Sequence, residues 1–495
     1  MPSFRRHRRL LAAAFAIAAM PALADTPSPA DTTLSASGAR EDLELAISAV
    51  EAALPNIFWH QTRRQWANAK AQARIRVAAV TDSESLWRIL RPLMGQIGEG
   101  HLGIQLSDAM NQHYRDVPRF PLDLLWNEQG AFVIAGYGEA ATIPRGARLI
   151  SIDGVDDAEL LHQMAAVTPH DGAIRTGTMR DISGRGFASI LYRLRGPQSR
   201  FHIVFDHSDG RIERDVPAVS RLARPAESDD PPPLPVLEWL DGHRAYLNVP
   251  TFSNARLRAA GATFPDAIHM IFTQLDQRGA TDLILDLRDN GGGSEPNESI
   301  LFSYLVDKPL RKYAAVEARG AHIAVTSLSG KRFETDVFDE EEVGQQRPIG
   351  KGRLTRRNLP PEGLMSRWTT YAPVYHGRLV VLVGGDTFSG GAELASMLNH
   401  TGRGVFVGEE VGGSDEGNTS GHRWTIILPN SRMKLSVPLL QFRMAWSGRP
   451  HGRGVRPKCA APPDVRIDDA RQVAVALLKQ GWKRPGQAIC PGVSR

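Results

Sequence analysis

No stretch of the body of the chain is apolar for the roughly 20 residues that a bilayer crossing needs. The longest candidate, Leu10 to Ala19, is shorter than that and is followed by Pro21, so no integral membrane segment is expected. With the basic start Met1-Pro2-Ser3-Phe4-Arg5-Arg6-His7-Arg8-Arg9 before it and Pro21-Ala22-Leu23-Ala24 after it, the run has the form of a bacterial-type signal peptide. Cleavage is expected after Ala24, which makes 1–24 a leader and the mature protein exported, either periplasmic or secreted. Cysteine is nearly absent, with Cys459 and Cys490 the only two. Neither stands at the cleavage point, so no lipid anchor is expected there. In an oxidising compartment the pair either closes one C-terminal loop or stays as two thiols. An excess of one charge is missing as well. The leader holds four arginines and no acid, so 59 basic residues fall to 55 in the mature chain against 54 acidic ones. That balance gives no footprint for nucleic acid or an anionic membrane surface. Histidines such as His60, His113, His162, His243 and His400 have no companions at metal-ligand spacing, and neither a metal nor a cofactor is expected.

What is present divides the chain. Residues 25–39 are mostly Pro, Ser, Thr, Asp and Ala with little to bury, and read as a disordered linker. Residues 40–110 read as an N-terminal helical domain. Leu43, Ile47, Val50 and Leu54 share one helical face, and Thr81-Asp82-Ser83-Glu84 is a capping box ahead of Leu86, Leu90, Leu93 and Ile97. Residues 118–222 alternate short β runs with turns and resemble a PDZ-type domain around Ile143–Gly154. A proline-rich linker, 223–235, follows. From 236 to 470, apolar strands alternate with helices: Ala245–Val249, a helix from Ala262 to Gln277, Leu283–Leu287 and Leu379–Val383. That alternation predicts an α/β core. An inserted loop, 312–372, interrupts it with the acidic block Asp339-Glu340-Glu341-Glu342 and then Lys351, Arg353, Arg356 and Arg357. Such charge runs are either solvated loops or a lid. Residues 471–495 read as a C-terminal tail.

Two glycine-rich turns carry the chemistry. Leu379–Val383 runs into Gly384-Gly385-Asp386-Thr387-Phe388-Ser389-Gly390-Gly391, and a helix-forming segment follows at once. A hydroxyl at such a turn sits beside a helix N-terminus, whose unpaired N–H groups favour developing negative charge. Ser389 is therefore either a nucleophile or the cap of that helix. The strand ending at Leu287 likewise enters Arg288-Asp289-Asn290-Gly291-Gly292-Gly293, where glycine lets backbone amides approach a ligand. Acyl transfer requires a nucleophile, a base and oxyanion donors, and Ser389, His101 and the amides of Gly390 and Gly292 can supply them.

Together, Asp286-Leu287-Arg288-Asp289-Asn290-Gly291-Gly292 and Thr387-Phe388-Ser389-Gly390-Gly391 resemble the family of C-terminal processing peptidases and tricorn core protease. Ile97-Gly98-Glu99-Gly100-His101, Val407–Gly413 and Arg453-Gly454-Val455-Arg456-Pro457 support the likeness. The resemblance implies a ClpP/crotonase-like core and a serine endopeptidase acting on peptides or proteins, with Ser389 as nucleophile. No lysine lies between 401 and 430, where the processing branch keeps its base. The tricorn-like branch has a histidine at the position of His101, which is thus the expected general base. That branch also has a carboxylate just before the Gly-Val-Pro segment, where this chain has His451 and Gly452. By motif, Glu409 is the candidate substitute, its alternative being a surface turn. Two other readings stay open: a catalytically weak or inactive ligand-binding protein on the same scaffold, and an esterase-type acyl hydrolase.

Overall fold

Alternate residues of the buried strands face opposite ways, and this divides the C-terminal half into two packed faces. Six strands lie side by side in the order Cys459–Ala460, Val405–Gly408, Arg378–Val383, Asp282–Asp286, Arg244–Asn248 and Val236–Trp239. All neighbours are parallel except the last pair. Leu283, Leu285, Leu379, Val381 and Val383 join one hydrophobic cluster with the helices Phe264–Gln277 and Gly390–His400. Ile284, Val380, Leu382, Val405 and Val407 face the other way, onto the helix Asp469–Lys479. The expected α/β core is present. In this computed structural model the residues described are 33–115, 117–208, 210–220, 234–357, 365–446 and 452–491. The leader 1–24 and nearly all of the linker 223–235 lie outside them.

Three sequence expectations need correction. The segment read as a tail from 471 begins inside the helix Asp469–Lys479, whose Val473, Ala474, Leu477 and Leu478 form an apolar stripe that covers the sheet, with Trp482 beside it. Order also begins before residue 40. Ser35 caps the helix Ala36–Ala53, and the Leu34 amide donates to the Thr81 carbonyl at 2.9 Å. Residues 312–372 are not a loop: their described part contains six strands. Tyr313–Ala318 pairs antiparallel with Lys434–Met444 in a second sheet that also holds Gly103–Gln105, Gly417–Ile427, Arg353–Arg356 and Gln346–Gly350. The acidic block there is the capped start of the short helix Glu340–Gly344, with Asp339 as its N-cap.

The N-terminal helices Ala36–Ala53, Arg63–Arg76 and Ser83–Gly95 share the cluster that covers one face of the parallel sheet. Asp42 on the first of them is buried and accepts the backbone amides of Asn430 and Ser431. Residues 118–220 are different. Their sheet, in the order Leu122–Asn127, Gly130–Gly136, Arg148–Ile152, Arg200–His207 and Gly210–Pro217, has its own core around Trp126, Phe187, Phe201 and Phe205. The helices Asp157–Val167 and Thr176–Asp181 belong to this region, and the connection between them bears Asp171.

Candidate active site

The turn between Arg378–Val383 and the helix Gly390–His400 is tied to the neighbouring strand. Thr387 Oγ1 donates to the Leu287 carbonyl at 2.7 Å and accepts the Gly384 amide at 3.0 Å, while the Phe388 amide donates to the Asn290 carbonyl at 3.0 Å. These bonds hold Ser389 at φ 51° and ψ −123°, a backbone state that non-glycine residues rarely adopt. Its side chain makes no capping hydrogen bond to the helix, so the cap alternative is set aside. The Gly390 amide, at the helix start, has no hydrogen-bond partner among the described residues.

Gly292 lies against this corner at φ 90°. A Cβ on it would stand 2.7 Å from the Gly390 nitrogen and 2.8 Å from the Ser389 Cβ. Its amide, however, donates to Asn290 Oδ1 at 2.9 Å. Contrary to the sequence expectation, Gly292 therefore contributes its missing side chain here, while its N–H is already engaged. Asn290 is fully buried and is itself anchored by Nδ2 donating to the Val249 carbonyl at 2.9 Å.

His101 reaches the same corner from the turn after Ser83–Gly95. Its ring packs on Phe388 with centroids 4.7 Å apart, which brings it beside the residue preceding Ser389. Gly100 makes this approach possible, since a Cβ there would lie 2.7 Å from Phe388 Cζ and 2.9 Å from Asp171 Oδ1. The imidazole is only 6% exposed, and its Nδ1 lies 3.6 Å from Glu99 Oε1 without a properly formed hydrogen bond. Asp171 completes the group. Its Oδ1 accepts the Gly100 amide at 2.8 Å and its Oδ2 the Ser414 amide at 3.2 Å. Burial, with the negative Glu99 beside it, holds the Asp171 carboxyl above the usual carboxylate range.

Glu409 is not part of this group. Its Oε1 accepts the Gly385 amide at 3.0 Å and meets Arg180 Nε at 3.2 Å, and burial raises its pKa. Glu393, one turn into the helix, points into the interior instead. It is buried with Glu298 around the fully buried Lys312, whose Nζ lies 2.5 Å from Glu298, 2.6 Å from Glu393 and 2.9 Å from Glu295. Tyr313 donates to Glu295 and Asn418 to Glu393. The donor atoms of Glu295, Glu298 and Glu393 are close enough for one metal ion, but the Lys312 ammonium already holds that place. Glu99, His101 and Asp171 form the other such group among the described residues. His400 stacks on Trp446 at the far end of the helix, and His451 lies outside the described residues.

A cleft of about 600 Å³ opens at this corner, lined by Gly292, Phe388 and Gly100 and by the acids Asp181, Asp289 and Asp386. A hydroxyl on a strained turn, an imidazole flanked by carboxylates and an unpartnered helix-start amide are the parts that acyl transfer uses. Residues 243–459 match the model of Peptidase family S41. This region belongs to that family. The S41 peptidase region contains Ser389 and both glycine turns, and the chain is a serine-type peptidase, a hydrolase. Among solved structures it is similar to mature CPAF, with 14% identity and a TM-score of 0.62 over 92% of this chain and 99% of that one. CPAF complexed with lactacystin gives 15% identity and 0.61 over 90% and 97%. The photosystem II D1 C-terminal processing protease gives 15% identity and 0.41 over 88% and 97%. At these identities the likeness to CPAF is one of fold. No curated protein sequence matches the chain.

Glu99 had a weak signal in sequence, as part of the motif that ends in His101. Asp171 had none, because Pro169-His170-Asp171-Gly172 reads as an ordinary polar turn.

Proposed function

We propose that the protein is an exported serine endopeptidase that cleaves peptide bonds through an acyl-enzyme on Ser389, with His101 as general base. The observation that carries this reading is the strained, uncapped Ser389 between the unpartnered Gly390 amide and the Phe388 ring on which His101 rests. Nδ1 of His101 faces Glu99, which leaves Nε2 to take the Ser389 proton. As that proton leaves, Oγ bonds to the substrate carbonyl carbon, and the oxyanion accepts the Gly390 N–H with the helix N-terminus behind it. Collapse of the tetrahedral intermediate breaks the C–N bond, and the imidazolium returns its proton to the departing amine. Water then adds to the acyl carbon with the same base, and Ser389 is regenerated.

Export is supported by the leader-like start and by the bond joining Cys459 to Cys490, which suits an oxidising compartment. The region 118–222 is assigned the PDZ-type task of holding an extended substrate by strand addition, with Gly210–Pro217 as an edge strand of its sheet. The test is digestion of an unbiased peptide library by the mature chain, read by mass spectrometry beside Ser389→Ala and His101→Ala. Products that vanish in both variants support the assignment. Products that persist in Ser389→Ala sink it, and products that persist only in His101→Ala overturn the base.

A further inference from the structure

Of His451 and Gly452, the two residues at the place where the tricorn-like branch keeps its acid, Gly452 admits no side chain. Gly452, at φ 62°, abuts Gly172, at φ 54°, backbone to backbone. A Cβ on Gly172 would stand 2.4 Å from the Gly452 Cα, and one on Gly452 would stand 3.0 Å from the Gly172 Cα. The Ala173 amide donates to the Gly452 carbonyl at 2.9 Å and the Gly172 amide to the Gly98 carbonyl at 3.0 Å. Two glycines thus let the 171–173 turn wedge between the 98–101 turn and the segment at Gly452. What the wedge delivers is its first residue, Asp171, which is 2% exposed.

We propose that Asp171 and Glu99 together replace the missing acid, forming a two-carboxylate support that orients the His101 imidazole and stabilises its cation. This deepens the Ser389–His101 reading and rests on it. The two carboxylates have different tasks. Glu99 is the neighbour of Nδ1, at 3.6 Å, and accepts the His101 backbone N–H at 3.4 Å. Asp171 holds the turn, because one carboxylate bonds both the amide preceding His101 and the Ser414 amide across the corner. One donor atom from each of Glu99, Asp171 and His101 lies within 4.8 Å of the other two, so both carboxylates act on the charge that forms on the ring. Two carboxylates side by side in a dry site repel, and burial beside Glu99 holds the Asp171 carboxyl above its usual range. A cation forming on the His101 ring offsets that repulsion. Asp171 is a positioning residue, since it acts through His101 and its turn rather than on the substrate.

Asp171→Asn and Glu99→Gln keep size and one acceptor oxygen while removing the charge. With a peptide substrate taken from the library, each single variant is expected to lower kcat ~10- to 100-fold, and the double variant ~10⁴-fold, the scale of losing the acid in a Ser-His-Asp triad. KM should stay within about threefold, because ground-state binding is untouched. A second readout needs no turnover. In a Ser389→Ala background at low pH, the downfield proton signal of His101 Nδ1–H should shift upfield in Glu99→Gln and in Asp171→Asn. Variants with kcat within about threefold of wild type, or an unmoved Nδ1–H signal in both folded double variants, would overturn the proposal. If Ser389→Ala itself leaves cleavage intact, the nucleophile assignment has failed. If Ser389→Ala is inactive and the acid variants are unaffected, only the two-carboxylate support has failed.

Discussion

Replacing Gly292 by alanine tests the corner most directly, since the residue acts by having no side chain. Its Cβ would sit 2.7 Å from the Gly390 nitrogen, 2.8 Å from the Ser389 Cβ and 3.0 Å from the Phe388 carbonyl oxygen. Two of these contacts are backbone atoms of a turn pinned by Thr387 and Asn290, so they cannot swing aside as a flexible side chain would. Relief requires the 290–293 turn or the helix start to retreat by about half an ångström, the tolerance within which a catalytic constellation works. Alanine at φ 90° adds strain of roughly 1–2 kcal/mol.

Misplacing the Gly390 donor costs about as much as deleting an oxyanion donor, ~10²–10³ in kcat or about 3–4 kcal/mol of transition-state binding. The expected result for Gly292→Ala is that loss in kcat with KM little changed, together with folding stability lower by about 1–3 kcal/mol. Steady-state kinetics on a fluorogenic peptide and urea denaturation of the same preparation measure both. A kcat within fivefold of wild type in a protein of unchanged stability would refute the steric reasoning, and with it the closeness of Gly292 to the nucleophile turn.

Three further outcomes follow from groups around the site. Lys312→Met leaves Glu295, Glu298 and Glu393 without their common cation; breaking a buried pair costs about 3–5 kcal/mol, and an unchanged urea midpoint would show that the network carries no such load. Cys459 and Cys490 close a loop across 31 positions, for which chain entropy gives about 4 kcal/mol. Cys459→Ser with Cys490→Ser should therefore lower Tm by several degrees while 25 °C activity persists, and an unaltered Tm argues against that contribution. Asp386 is lifted to about 7 and Asp181 to about 6, chiefly by removal from water. Carboxylates with raised pKa lose their charge as pH falls through those values, so the cleft becomes less negative between pH 8 and 5.5. The ratio of kcat/KM for lysine- or arginine-containing peptides over glutamate-containing ones should shrink across that range, and Asp386→Asn should flatten the trend; a ratio independent of pH in the wild type would count against an acidic cleft that reads substrate charge.

Largely apolar runs made the parallel sheet readable. Ala245–Val249, Leu283–Leu287 and Leu379–Val383 each lie within a residue of the strands Arg244–Asn248, Asp282–Asp286 and Arg378–Val383, because strands covered on both faces need side chains that are apolar without alternation. Strands of the 312–372 segment were hidden by the opposite property. His322–Thr326 and Arg332–Asp336 form a hairpin that is mostly exposed, so their polar composition looks like a loop. The helix Asp469–Lys479 did carry a readable stripe in Ala470, Val473, Ala474, Leu477 and Leu478, with the spacing of one helical face. Its position after the last motif, rather than its pattern, made it look like a tail.

The site divides along the same physical line. Ser389 and the glycine turns could be read because their chemistry is local: a strand, a sharp turn and a helix start within one short segment fix a hydroxyl beside free amides. The acids could not, because a carboxylate becomes functional through what it faces, and Asp171 faces Gly100 and Ser414, which are 71 and 243 positions away in sequence. Motif spacing pointed instead to Glu409, which is spent on Arg180 and the Gly385 amide. The same reasoning covers Lys312, whose sequence neighbours gave no hint that three glutamates from a loop and two helices converge on it. A buried charge has to be matched by groups that the fold brings together. Such groups are therefore the part of a site that a single sequence hides, and at this corner the contact of Gly172 with Gly452 is what brings Asp171 to His101.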